Sequence, residues 1–403
     1  MNKIIQGDCL EVMKDIPDNS VDAIVTDPPY GLSFMGKKWD YDVPSVEIWT
    51  ECLRVLKPGG YLLAFAGTRT QHRMAVRIED AGFEIRDMIA WIYGSGFPKS
   101  LNIGKAVDKL QGNEREVTGG YMHGGTRQSG ILGKDLGQVW HEQSQGTSEW
   151  EGWGTALKPA LEPITVARKP LSENTVAENC LKWGTGGINI DGSRVGTDET
   201  ITNHSRGAES AVSKGKYGDS NQQETHQTTG QQLGRFPANL IHDGSEEVLN
   251  LFPQANHKTG SKFQGRGLFP IESEPIKYND SGSAARFFYC AKSSKSERNR
   301  GLEVVEVKNT RPQGEAFGNG NAIREHQNRN GNNHPTVKPI KLMEYLVNLV
   351  SKPGATVLDP FLGSGTTAIA CKNLNRNCIG IERDVEYIEI INKRLQNVEQ
   401  RLI

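Results

Sequence analysis

Apolar positions near the start of the chain alternate between two periods. Val21 to Asp27 is a nearly continuous apolar run that ends at an acid, the pattern of a strand covered on both faces. From Pro44 to Leu56, the residues Val46, Trp49, Leu53 and Leu56 recur at helical spacing, and Lys57-Pro58-Gly59-Gly60 reads as the stop. Lys3 to Asp8, Tyr61 to Ala66 and Phe83 to Tyr93 read as further strands, and Arg69 to Ala81 as a helix ending at Gly82. The C-terminal part repeats this rhythm. Ile340 to Val350 and Ala368 to Asn373 read as helices, Ala355 to Asp359 and Asn377 to Glu382 as strands. Val385 to Leu402 reads as a helix with Ile388, Ile391, Leu395, Val398 and Leu402 on one face. Strands alternating with helices predict an α/β fold with a parallel, doubly wound sheet.

The middle of the chain breaks the rhythm. Stretches from about Gly112 to Gly154, Thr197 to Gly234 and Thr310 to Asn333 are rich in Gly, Gln, Ser, Asn or His and bury little surface. Between them, Glu162 to Arg168 alternates like a strand, while Phe236 to Ile241 and Arg286 to Lys292 mix aromatic with polar or basic residues. The simplest arrangement makes the two α/β regions halves of one sheet, with the polar middle inserted between them. The expected division is 1–111 for the first part of the α/β domain, 112–154 for a polar loop and 155–182 for a returning strand. Residues 183–333 form the long insertion, and 334–403 the closing part.

Composition narrows the partners. Of 403 residues 24% are charged, yet the formal net charge is −1, so a polyanion would have to be met by a local basic face. Apolar content of 36% with 45 glycines fits a core that carries long polar loops. No apolar run approaches the roughly 20 residues of a membrane span, and the first residues lack a signal-peptide core. The six cysteines form no Cys-x-x-Cys pair, which fits a reducing compartment. The nine histidines form no metal-binding helix pattern, and no metal is expected.

Two segments carry the chemistry. Near the end, Asp359-Pro360-Phe361-Leu362-Gly363-Ser364-Gly365-Thr366-Thr367 lies between a strand and a helix, where close backbone approach favours glycine. The helix N-terminus suits a ligand carboxylate. Glu382 ends the next strand, where a ribose diol is commonly held, and Asp8 ends another strand, where it can accept from an amine. The turn is neither Gly-x-Gly-x-x-Gly nor a Gly-Lys-Thr loop, which disfavours dinucleotides and P-loop nucleotides. Near the start, Asp27-Pro28-Pro29-Tyr30 follows the strand that begins at Val21.

Together these segments resemble the amino-group DNA methyltransferases, and their order resembles the circularly permuted beta class of that family. The resemblance implies a Rossmann-like fold that binds S-adenosyl-L-methionine (AdoMet), with the insertion as a target-recognition region. It implies that Asp27 and the Pro28 carbonyl accept the N–H groups of a target amine. Pro29 stiffens that carbonyl's setting, and Tyr30 stacks on an extruded base. His334 to Pro339 resembles the family segment at the methionine end of AdoMet. Lys338 thereby joins Asp8, Asp359, Phe361, Gly363, Ser364, Gly365, Thr366 and Glu382 as expected cofactor contacts. Trp91 and Tyr93 resemble the lining of the target-base site.

Arg286 to Arg300 is the strongest basic stretch, and Lys292, Lys295 and Arg298 are its expected contacts to the DNA backbone. The expected partner is double-stranded DNA, without a membrane, and a homodimer stays open. The expected location is a bacterial cytoplasm, with a phage or mobile element as an open source. Asp at position 27 is more typical of adenine-N6 than of cytosine-N4 enzymes in this family, and both targets stay open. Methylation of RNA or of a protein glutamine is a further alternative, disfavoured by Asp27 and the motif order, and a DNA-binding module without activity is another, disfavoured by the intact Asp27, Gly363, Gly365 and Glu382.

Overall fold

The computed structural model describes residues 2–32, 40–94, 96, 100–123, 139–197, 203–205, 224–226, 233–257, 280–291, 337–396 and 398. They fall into two compact units, 1–94 with 161–403, and 95–160.

The larger unit is built on one sheet. Its strands are β1 (Asn2–Gln6), β2 (Val21–Thr26), β3 (Leu56–Phe65), β4 (Glu84–Ile92), β5 (Leu161–Arg168), β6 (Leu240–His242), β7 (Tyr289–Cys290), β8 (Thr356–Asp359) and β9 (Asn377–Glu382). The nine strands lie in the order β1-β9-β8-β2-β3-β5-β4-β6-β7. The C-terminal strands β8 and β9 sit between β1 and β2, so both ends of the chain build one side of the sheet. All neighbours pair in parallel except β5, which runs antiparallel between β3 and β4. The alternating rhythm predicts the parallel strands. It does not predict the reversed one, because β5 follows a long excursion rather than a crossover helix.

Helices α1 (Cys9–Lys14), α2 (Val46–Val55), α3 (Gln71–Asp80), α5 (Val176–Trp183), α6 (Ile340–Val350), α7 (Thr366–Asn373) and α8 (Val385–Gln396) belong to this unit; α4 (Ile103–Gln111) belongs to the smaller one. The sheet is covered on both faces. Ala23, Val25, Leu63, Phe65 and Val357 pack with Leu346 of α6 and Ala370 of α7 on one face. The intervening Ile24, Leu62, Ala64 and Leu358 pack with Trp49 of α2 and Met74 of α3 on the other. Alternate residues of one strand thus feed two cores, which is why these strands read as nearly continuous apolar runs.

α2 stops at Val55, ahead of Lys57-Pro58-Gly59-Gly60 as expected, and these four residues then form the first part of β3, beside a register shift between Val21 and Ala23 of β2. Pro58 and Gly59 are tolerated at this irregularity. A Cβ on Gly59, whose φ is +77°, would lie 2.4 Å from the Asn179 amide nitrogen, and that amide donates to the Pro58 carbonyl at 2.8 Å.

In the smaller unit the polar stretch after α4 forms a hairpin, Glu116–His123 with Val139–Gln145. Arg115 organises it, bonding the buried Asp108 and, at 2.9 Å, Glu151.

Candidate active site

Asp27 is the first residue beyond β2, and the loop it opens is tightly anchored. The buried Asp40 carboxylate accepts the backbone N–H groups of Tyr30 at 2.8 Å, Gly31 at 3.0 Å and Leu32 at 3.2 Å. Gly31 has φ +66°, and a Cβ there would come 2.9 Å from the Val43 nitrogen. The Thr70 hydroxyl donates to the Tyr30 carbonyl at 2.6 Å. The position of Tyr30 is therefore fixed through its backbone on both sides.

Four side chains meet inside this loop. The Tyr30 hydroxyl lies 2.7 Å from Asp27 Oδ1 and 2.9 Å from Glu162 Oε2. The Lys338 ammonium lies 2.7 Å from Asp27 Oδ2, 3.1 Å from the Tyr30 oxygen and 3.1 Å from Glu162 Oε2. It also stands 5.4 Å from the Tyr30 ring centre and 4.9 Å from that of Phe65. Burial pulls the Lys338 proton affinity down, but the Asp27 and Glu162 carboxylates more than offset it, so the ammonium is held above the ordinary lysine range. Burial, reinforced by the same two carboxylates, pushes the Tyr30 phenol well above its ordinary range. The cluster therefore keeps a charged ammonium and a protonated phenol at neutral pH.

The glycine-rich turn lies at the end of β8, the strand that pairs with β2. Asp359 ties the two loops together. Its Oδ1 accepts from the Thr26 hydroxyl at 2.6 Å and from the Phe361 N–H at 3.0 Å, and its Oδ2 accepts from the Thr367 hydroxyl at 2.6 Å. Burial raises its carboxyl to about 6, against the pull of those donors. Glu382 Oε2 accepts the Gly363 N–H at 2.8 Å, and its Oε1 accepts the Asp384 N–H at 2.8 Å. Burial raises the Glu382 carboxyl as well. Asp8 is exposed two residues past β1, the neighbour of β9, and caps α1 through the Leu10 N–H at 3.0 Å.

Gly363 and Gly365 have φ +57° and +86°. Gly365 is the N-cap of α7 and provides no side chain for its first N–H groups, so these suit a ligand carboxylate. Behind the turn, α8 presses Ile391 to within 3.0 Å of where a Gly365 Cβ would sit, and the buried Arg394 donates to the Ser364 carbonyl at 2.5 Å. Phe361 packs edge-on against Trp49 with ring centres 6.5 Å apart. This donor set fits a ligand with a carboxylate and a diol.

The remaining expected residues fall differently. Lys338 lies on Asp27 rather than at the glycine turn. Trp91 is buried in the core, edge-on to Phe65 at 6.5 Å, and Tyr93 leans on it at 4.8 Å with its hydroxyl facing Glu162. Lys292, Lys295, Arg298 and His334 lie outside the described residues. Glu162, Asp40, Thr26 and Arg394 escape sequence reasoning. The only sign of Glu162 is that it is the one acid in the strand, near its start.

Loops at the carboxyl ends of parallel strands are where open α/β sheets bind ligands, and both motif loops occupy that edge. A family model described as DNA methylase matches residues 21–393, and the chain belongs to that family, whose members use S-adenosylmethionine. Type II methyltransferase M.HindIII of Haemophilus influenzae is 23% identical over 97% of this chain and 94% of its own. Type II methyltransferase M.HpaI of Haemophilus parainfluenzae is 49% identical over 70 residues, 17% of this chain, and the match spans only 22% of that relative. The solved M1.HpyAVI–SAM complex matches 98% of this chain and 99% of its own at 18% identity, with a TM-score of 0.40.

Proposed function

We propose that the protein is a site-specific DNA methyltransferase that transfers the methyl group of AdoMet to the exocyclic N6 amine of adenine in duplex DNA. The observation that carries this reading is the direct coupling of its two motif loops through Thr26 and Asp359 at 2.6 Å. An amine acceptor, Asp27, and a turn suited to a methionine carboxylate thereby stand on adjacent strands.

The chemistry follows from the residues. An exocyclic amine is a poor nucleophile because its lone pair is delocalised into the ring. Asp27 and the Pro28 carbonyl, each accepting one N–H, would concentrate that lone pair on nitrogen. Tyr30 offers a face for the extruded base. Glu382 and the N-terminus of α7 would hold the ribose and carboxylate of AdoMet, which supplies an electrophilic methyl group when bound. The remaining work is alignment and charge stabilisation. Residues 183–333 would read the DNA sequence. Adenine is preferred to cytosine because position 27 is Asp.

Incubation with methyl-labelled AdoMet and duplex DNA, followed by nucleoside analysis, tests this reading. Labelled N6-methyladenine is the expected product. N4-methylcytosine would move the target to cytosine, and no labelled nucleoside would refute the activity.

A further inference from the structure

The contacts around Tyr30 pose a proton-counting problem. Its phenol oxygen lies within hydrogen-bond distance of two carboxylates, Asp27 Oδ1 at 2.7 Å and Glu162 Oε2 at 2.9 Å. A phenol carries one proton, so it donates to only one of them at a time. The nearby ammonium does not remove the choice. The three protons of Lys338 face Asp27 Oδ2 at 2.7 Å, the Tyr30 oxygen at 3.1 Å and Glu162 Oε2 at 3.1 Å. Nor does ionisation of the phenol, because burial and both carboxylates hold its proton on. Tyr30 is thus a rotor with two available acceptors.

We propose that Glu162 is a positioning residue that takes over the Tyr30 hydrogen bond when the target amine occupies Asp27. The proposal rests on the reading of Asp27 as the acceptor of that amine. Without a base, the phenol donates to Asp27 Oδ1. When the amine enters and donates to Asp27, the phenol turns to Glu162 Oε2 and leaves Oδ1 to the substrate. No covalent bond changes, and the proton stays on Tyr30 throughout. Without Glu162, the phenol would either compete with the amine for Oδ1 or remain buried with an unsatisfied donor.

The fold supplies the second acceptor from a separate element. Glu162 stands on β5, the reversed strand, at the register position opposite Trp91 of β4. Tyr30 stands in the loop after β2, and its backbone is pinned by Asp40 and Thr70. A fixed backbone leaves rotation of the hydroxyl about its C–O bond as the only movement the switch requires. This account also gives the Tyr30 hydroxyl a role distinct from the stacking of its ring.

The test is a double-mutant cycle in the full-length protein, read by single-turnover methyl transfer to duplex DNA, AdoMet affinity and thermal melting. Glu162→Met removes the second acceptor and should lower kcat/KM for DNA about 10- to 100-fold, the usual effect of stranding a buried donor, with AdoMet affinity unchanged. Glu162→Gln retains an accepting oxygen and should lose less than about 10-fold. In a Tyr30→Phe background there is no hydroxyl to redirect, so adding Glu162→Met should cost several-fold less than it does in the wild type, the rest of the loss coming from Lys338 and Tyr93, which also meet Glu162. An equal loss from Glu162→Met in both backgrounds, or a larger loss in Glu162→Gln, would overturn the proposal. If Glu162→Met melts below the assay temperature, Glu162→Ala takes its place in the cycle, with the same deciding outcomes. A wild-type protein that methylates no DNA refutes the proposed function; a wild type that does so without coupling between Tyr30 and Glu162 refutes only this inference.

Discussion

The Thr26 hydroxyl donates to Asp359 at 2.6 Å across two adjacent strands, linking positions 333 residues apart. Asp359 is nearly fully buried, and Thr26 is fully buried. Replacing Thr26 by Val removes a donor from a buried carboxylate and should cost about 1–3 kcal/mol of stability, visible in denaturant unfolding. A change below about 0.5 kcal/mol would show that Thr367 and the Phe361 N–H satisfy Asp359 by themselves.

Asp359 also predicts a pH dependence. Its carboxyl sits near 6 in the folded protein against an ordinary value of 3.8. Between those values the folded state holds a proton that the unfolded chain has lost, so this group's contribution to stability falls as pH rises through the window. The shift of about two units corresponds to about 3 kcal/mol, fully expressed above pH 6. The difference in stability between the wild type and Asp359→Asn should therefore swing toward the variant from pH 4 to pH 7. A pH-independent difference would contradict the assignment.

Asp27→Ala should abolish methyl transfer while AdoMet binding persists, because the proposed function sets Asp27 against the target amine and not the cofactor. Calorimetry on the folded variant checks this. A loss of AdoMet affinity as large as the loss of rate would place Asp27 in the cofactor site.

Glu382→Ala and Gly365→Val should both weaken AdoMet binding. The first removes a charged acceptor worth about 1.5–3 kcal/mol if the ribose bond is made. The second forces a side chain onto Ile391 at a φ of +86°, distorting the turn. Unchanged affinity in both variants would remove the turn from the cofactor site.

Neutralising Lys292, Lys295 and Arg298 together should weaken binding to all DNA alike and reduce the slope of log K against log salt by about 2.7, the value for three lost phosphate contacts. Exchanging residues 183–333 for those of a relative should instead change the methylated sequence and leave the chemistry intact. A triple variant with an unchanged salt slope would make the basic stretch a solvated surface.

What could be read from the sequence depended on whether information was local. The apolar runs of β2 and β8 and the glycines of the turn announce themselves within a few residues, because pleat and turn geometry are local demands. Ile340–Val350 and Asn377–Glu382 fall where their periodicity puts them. The reversed direction of β5, the seat of Lys338 on Asp27 and the role of Glu162 depend on which strands become neighbours. Glu162 and Tyr30 are 132 residues apart, and no spacing rule reaches across that gap. Lys57 to Gly60 is half local. Its Pro-Gly-Gly signal ends α2 at Val55, as read, but that the same residues then open β3 depends on Asn179, distant in sequence, whose amide donates to the Pro58 carbonyl.

The pairing of β1 with β9 sets a clock on biosynthesis. Asn2 to Gln6 find their partners at Cys378 to Glu382. At a usual elongation rate of 5–20 residues per second, β1 waits roughly 20 to 75 seconds for the strand it pairs with. Over that interval the ribosome-bound chain carries Asp27 but not the glycine turn beside it, so the site the two loops build together is assembled only after β8 and β9 have been made. A message truncated before residue 359 would yield a chain with Asp27 and no glycine turn, unable to complete the proposed site.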